Sequence, residues 1–117
     1  MKTLSTYDSR NHNIRLYVPG TVSVNEAADD QQGAMVDRVL DCFADWFGGA
    51  TIYPVHGAWK SDVAGLVKEK IVIVGSYATT EEVDEHLPKV IGLCEKIKEE
   101  MHQEAVALEY DNRLFFI

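Results

Sequence analysis

The chain has 117 residues and a formal net charge of -8, with ordinary hydrophobic and charged fractions. That length supports one domain with a single hydrophobic core, and the charge argues against direct binding to nucleic acid or to anionic membranes. No apolar run approaches the roughly 18–20 residues that span a membrane, and the N-terminus has no apolar signal-peptide centre, so a protein of the bacterial cytoplasm is expected.

Residues 1–11 are polar and aperiodic and read as a flexible arm on a single 1–117 domain. His12 to Val18 alternates, with Ile14, Leu16 and Val18 on one face and Arg15 and Tyr17 on the other, which predicts a half-buried strand. Pro19 and Gly20 end it or bend it, and Thr21 to Gln31 reads as a polar connection. From Asp30 to Phe47 the period becomes helical, with Met35, Val36, Val39, Leu40, Cys42, Phe43, Trp46 and Phe47 in one sector. Gly48 and Gly49 supply a left-handed exit.

Ala50 to Ala78 predicts a long β-hairpin around which the chain is organised. Its first strand is rich in β-branched and aromatic residues, Asp62 to Gly65 makes the turn, and Leu66 to Tyr77 returns. Apolar residues alternate to both faces of the return strand, which places it centrally. Thr79 and Glu82 match a capping box, opening a second helix with Val83, Leu87, Val90, Ile91, Cys94, Ile97 and Met101 inward. Pro88 predicts a kink or a restart there. Ala105 to Tyr110 and Arg113 to Ile117 flank an Asp111-Asn112 turn, predicting a terminal hairpin arm.

The order β-α-β-β-α-β plus a short terminal strand predicts an α+β, ferredoxin-like split βαβ sandwich, with an antiparallel sheet and both helices on one face. The other face stays open, with Tyr17, Tyr53, Trp59 and Tyr77 to line it, so partner docking or pairing of two copies is expected.

The residues show no catalytic signature, no metal-ligand spacing and no cofactor motif. Cys42 and Cys94 read as buried free thiols. His56, in YPVHGAW, is the one histidine to weigh as a general base or ligand contact, against a structural role. Asp30, Asp37, Asp41 and Asp45 form an acidic stripe on the first helix, spaced by about 5.4 Å per turn, against roughly 3.4 Å between phosphates of a nucleic-acid strand. The stripe is either a solvated face or a surface that docks on arginine and lysine.

FGGATIYPVHGAW, GLVKEKIVIVGSYA and QEAVALEYDNRLFFI together resemble a group of small acidic proteins of phages and conjugative elements. Such elements encode anti-CRISPR proteins, which occupy the basic channel of an RNA-guided nuclease. The resemblance implies a non-enzymatic inhibitor that binds a basic protein surface through the aspartate stripe as a nucleic-acid mimic, without cofactor. Two alternatives stand beside it. One is a dimeric module holding a small nucleotide ligand between sheet faces at Tyr53, His56 and Trp59. The other is a small dimeric α/β-barrel enzyme with His56 as base.

Overall fold

A computed structural model describes residues 1–22 and 27–117. Part of the polar connection expected between Thr21 and Gln31 lies outside the described residues. The elements run β1 (His12–Val18), α1 (Asp29–Phe47), β2 (Thr51–Ser61), β3 (Gly65–Ala78), α2 (Thr80–Glu100), β4 (Ala107–Tyr110) and β5 (Arg113–Phe116). The sheet is antiparallel in the order β2-β3-β1-β4-β5. Both helices cover one face, which makes the chain the expected α+β sandwich of split βαβ type.

The core lies between helices and sheet. Ile14, Leu16 and Val18 of β1 and Val74 of β3 meet Val39 and Phe43 of α1 and Val90, Cys94 and Ile97 of α2, all fully buried or nearly so. Leu93, absent from the expected inward set, is buried too, because it neighbours Cys94 on the widening apolar sector of α2. Burial of Cys94 pushes its thiol up to about 12, so it stays a protonated small hydrophobe. Cys42 is half-buried and also free.

Local chemistry sets the boundaries. Gly48 ends α1 in the left-handed conformation at φ 81°, with its amide bonded to the Ala44 carbonyl. Gly65 at φ 72° closes the β2–β3 turn, and Asp111 and Asn112, at φ 47° and 69°, make the two-residue β4–β5 turn. Thr79 caps α2: its hydroxyl accepts from the Glu82 amide at 3.1 Å, while the Glu82 carboxylate accepts from the Thr79 amide at 2.8 Å. That amide bond, first among several causes, holds the Glu82 carboxyl below its usual range. α2 runs through Pro88 as one helix rather than restarting there. Its neighbours in α2 and the packing of Leu87 and Val90 on the core hold the turn that lacks one amide.

Replacing Thr79 with alanine removes one half of the box and leaves the Glu82 amide without its side-chain acceptor. We expect a loss of about 1 kcal/mol, read as a melting-temperature fall of roughly 4 °C. An unchanged melting temperature would show that water replaces the cap at no cost.

Beyond the helices the β2–β3 hairpin continues on its own. The molecule measures 57 × 26 × 22 Å, and its radius of gyration of 15.6 Å exceeds the ~13 Å of a compact domain of this length. Ile52, Tyr53, Val55, Trp59, Val63 and Leu66 are exposed on this hairpin. A two-stranded ribbon is marginal in water by itself. Pro54 lies in β2, the edge strand, where a missing amide blunts further strand addition.

Candidate functional site

Register decides which expected residues meet. Thr51 and Arg15 both pair with Gly75, Tyr53 and Tyr17 both pair with Ile73, and Asn13 pairs with Tyr77. Alternation therefore puts Asn13, Arg15, Tyr17, Thr51, Tyr53, Gly75 and Tyr77 on the face away from the helices. Trp59, six residues beyond Tyr53 on the same strand, shares that face farther out on the hairpin. His56 does not join them: an even step from Ile52 places it on the opposite, helix-side face, exposed on the projecting part.

An open pocket of about 450 Å³ lies at the end of this face. Its floor is Gly75, and its walls include Arg10, Arg15, Tyr53, Tyr77 and the backbone that leaves α1 at Gly48, Gly49 and Ala50. Gly75 is what makes the space. A Cβ there would stand 3.3 Å from Arg15 Cγ and 3.4 Å from Tyr53 Cε2. Without one, the Arg15 guanidinium crosses the gap and lies 5.2 Å from the centre of the Tyr53 ring, a cation–π contact. The Ser76 hydroxyl donates to the Gly49 carbonyl at 2.6 Å and pins the wall to β3.

Beside Arg15, on the same face of the sheet, stands a second polar pair. Glu109 sits opposite Arg15 across the β1–β4 register, and its Oε1 accepts from the Tyr17 hydroxyl at 3.1 Å. Burial and then that carboxylate push the Tyr17 phenol up, so Tyr17 is a donor here, not a base. Arg10 reaches Glu82 at 3.7 Å; among the described residues Arg15 has no carboxylate within salt-bridge distance. Among the described residues the pocket wall carries no carboxylate, histidine or lysine. Two guanidiniums and the rings of Tyr53 and Tyr77 suit a ligand with a planar base at one end and a carboxylate at the other.

The acidic stripe is elsewhere. Asp30, Asp37, Asp41 and Asp45 are exposed on α1, in the helix layer. No group of three or more histidine, cysteine or acidic residues able to hold a metal ion occurs among the described residues. Among the described residues no helix is long and apolar enough to cross a membrane.

The sequence matches no protein-family model and no curated protein. Two solved structures share the fold. One, a phage SAM lyase in complex with S-methyl-5'-thioadenosine, superposes with a TM-score of 0.67 at 16% identity, over 99% of this chain and 95% of that one. The other, a phage SAM lyase in the apo state, gives 0.68 at 18% identity, over 100% and 94%. At these identities the likeness is one of fold. It nonetheless corrects the expectation of a non-enzymatic, anti-CRISPR-like inhibitor acting as a DNA mimic, because in both neighbours this whole fold is an enzyme. The physical reason for the error is that a charged helix face was weighed while the pocket on the opposite side of the sheet, assembled from three segments distant in sequence, has no sequence signature.

Sequence reasoning set Tyr17, Tyr53 and Tyr77 on the open face and missed Arg10, Gly75 and the backbone wall at Gly48 to Ala50. Gly75 carried the one available signal: a glycine inside an apolar strand marks a bulge or a close approach by a ligand.

Proposed function

We propose that this protein cleaves S-adenosylmethionine and releases S-methyl-5'-thioadenosine. The observation that carries this reading is the glycine-floored pocket, where Arg15 and Arg10 face Tyr53 and Tyr77, on a fold shared end to end with lyases of that substrate. Arg15 holds the substrate's α-carboxylate in a charge-assisted contact, the aromatic walls take the adenine, and an aromatic face stabilises the sulfonium. The pocket volume falls in the range of small-molecule sites, about 300–1,000 Å³.

The reaction asks little of the protein's own side chains. The S–Cγ bond breaks with its electron pair going to sulfur, which turns the sulfonium into a neutral thioether. The substrate's carboxylate oxygen closes on Cγ, giving a five-membered lactone. No proton moves and no water is consumed. What the pocket contributes is a near-attack conformation.

We also propose a second copy of this chain as the partner of the open face. Tyr53, Val55 and Trp59 continue the pocket face along a hairpin that projects past its own helices, which leaves an apolar surface for a neighbour to cover. One preparation tests both statements. Purified protein mixed with S-adenosylmethionine should yield methylthioadenosine and a lactone by chromatography, and light scattering should give a multiple of the single-chain mass. Unchanged substrate together with no methylthioadenosine binding in titration would sink the catalytic reading; a single-chain mass at micromolar concentration would sink the pairing.

A further inference from the structure

His12, Thr80 and Asp111 are remote in sequence and meet where β1 begins, α2 begins and β4 turns into β5. His12 Nδ1 lies 2.7 Å from Asp111 Oδ2, and the opposite ring nitrogen, Nε2, lies 3.0 Å from Thr80 Oγ1. Asp111 is itself held, since its Oδ1 accepts from the Asn13 amide at 2.9 Å. That bond and then the one to His12 keep its carboxyl below the usual range, so it is ionised at neutral pH. The Tyr110 ring stacks on the imidazole at 5.8 Å and 16°, fixing the ring plane.

An ionised Asp111 takes the proton side of the imidazole at Nδ1. The lone pair at Nε2 then faces the hydroxyl of Thr80, which is exposed. A hydroxyl, a base that can accept its proton and a carboxylate that orients the base are the three parts of an activated oxygen nucleophile. Thr80 is also the first residue of the 21-residue helix α2. Thr79 occupies the Glu82 amide, while the Thr80 and Glu81 amides belong to the first turn, where a helix provides no partner and its dipole is positive. Developing negative charge beside Thr80 therefore meets donors.

We propose that Thr80, His12 and Asp111 form a second site that transfers the acyl group of small carboxylic esters bearing no negative charge. Thr80 Oγ1 forms a bond to the ester carbonyl carbon as its proton passes to His12 Nε2. The C–O bond to the alcohol then breaks, and the leaving oxygen takes that proton. Water, deprotonated by the same nitrogen, releases the acid and restores the hydroxyl. Asp111 is a positioning residue. The restriction on charge follows from Glu81, Asp84 and Glu85 in the first turns of α2, all exposed and acidic, which repel an anionic ester. This site shares no side chain with the pocket wall and stands independently of the lyase reading.

The test uses the intact protein with p-nitrophenyl acetate. General-base activation contributes typically ~10²–10⁴ in rate, so Thr80→Val and His12→Gln should each lower turnover on the order of a hundredfold. Thr80→Ser should stay within a few-fold of the parent, and mass spectrometry should find acetyl on the Thr80 peptide during turnover. Wild-type turnover by a folded Thr80→Val variant would overturn the proposal. So would acetyl confined to lysines. In either case the cluster is a clasp joining three elements.

Discussion

Replacing Arg15 with methionine should weaken S-adenosylmethionine binding on the order of a hundredfold while changing methylthioadenosine binding only a few-fold. The asymmetry follows from the two ligands: the product lacks the amino-acid arm, so only the substrate offers a carboxylate to the guanidinium. Charge-assisted hydrogen bonds contribute about 1.5–3 kcal/mol, and 1.4 kcal/mol is tenfold in affinity. Methionine keeps the apolar stem that packs against Tyr53, so the loss reports the charge rather than the packing. The fold should tolerate it, because Arg15 is only half-buried and has no salt-bridge partner among the described residues. Titration of both ligands into both proteins decides the matter. An equal loss for the two ligands would make Arg15 a wall of the pocket and leave the carboxylate to Arg10. No loss for either would remove the pocket from the reaction. Gly75→Val provides the complementary result, since a side chain there pushes on Arg15 Cγ and Tyr53 Cε2 together and should damage both affinities alike.

The fold was legible in the sequence because its elements carry local signals. The switch from period 2 in His12–Val18 to period 3.6 across Asp29–Phe47, the Gly48 exit, the Thr79–Glu82 box and the Asp111-Asn112 turn each operate over a few residues. The site was only half legible, for a geometric reason. Alternation assigned Tyr17 and Tyr53 to one face, but which of them border a common space depends on register between strands distant in sequence. Arg15 looked like an ordinary outward strand residue until Gly75 stood opposite it. His56 drew attention by residue type, and one step of strand parity removes it from the pocket face. The aspartates of α1 attracted a functional reading because charge is visible residue by residue, whereas a pocket is visible only once segments converge. The absence of a catalytic motif, set beside the resemblance to small acidic phage proteins, pointed to a non-enzymatic inhibitor, yet it excludes only chemistry that needs such a motif. A substrate carrying its own leaving group and its own nucleophile leaves no acid–base signature in the chain that binds it.

Two glycine-to-alanine changes should move stability in opposite directions, and the larger should be Gly20→Ala. A Cβ at Gly20 would stand 2.0 Å from the Lys70 carbonyl oxygen and 3.1 Å from Gln32 Nε2. Neither neighbour can step aside. The carbonyl belongs to β3, and Gln32 is buried with its amide donating to Lys70 O at 3.0 Å and Val18 O at 3.3 Å. Gly20 itself donates to Glu69 Oε2 at 3.3 Å and accepts from the Ala28 amide at 3.0 Å, while Thr21 adds a hydroxyl to the same Glu69 oxygen at 3.1 Å. Alanine must therefore lift the end of β1 off β3 and loosen several of these bonds at once. Overpacking costs about 1–3 kcal/mol and each lost bond about 1 kcal/mol. The sum, ~3–5 kcal/mol, is a large part of the 5–15 kcal/mol that holds a domain of this kind. Gly33, exposed in the first turns of α1, has nothing within 4 Å of its own missing Cβ. Alanine there should add about 0.5–1 kcal/mol through helix propensity alone. Denaturant titration of the two variants beside the parent separates close approach from backbone entropy. If Gly20→Ala lost less than Gly33→Ala gained, the contact between the end of β1 and Lys70 would not be tight in solution.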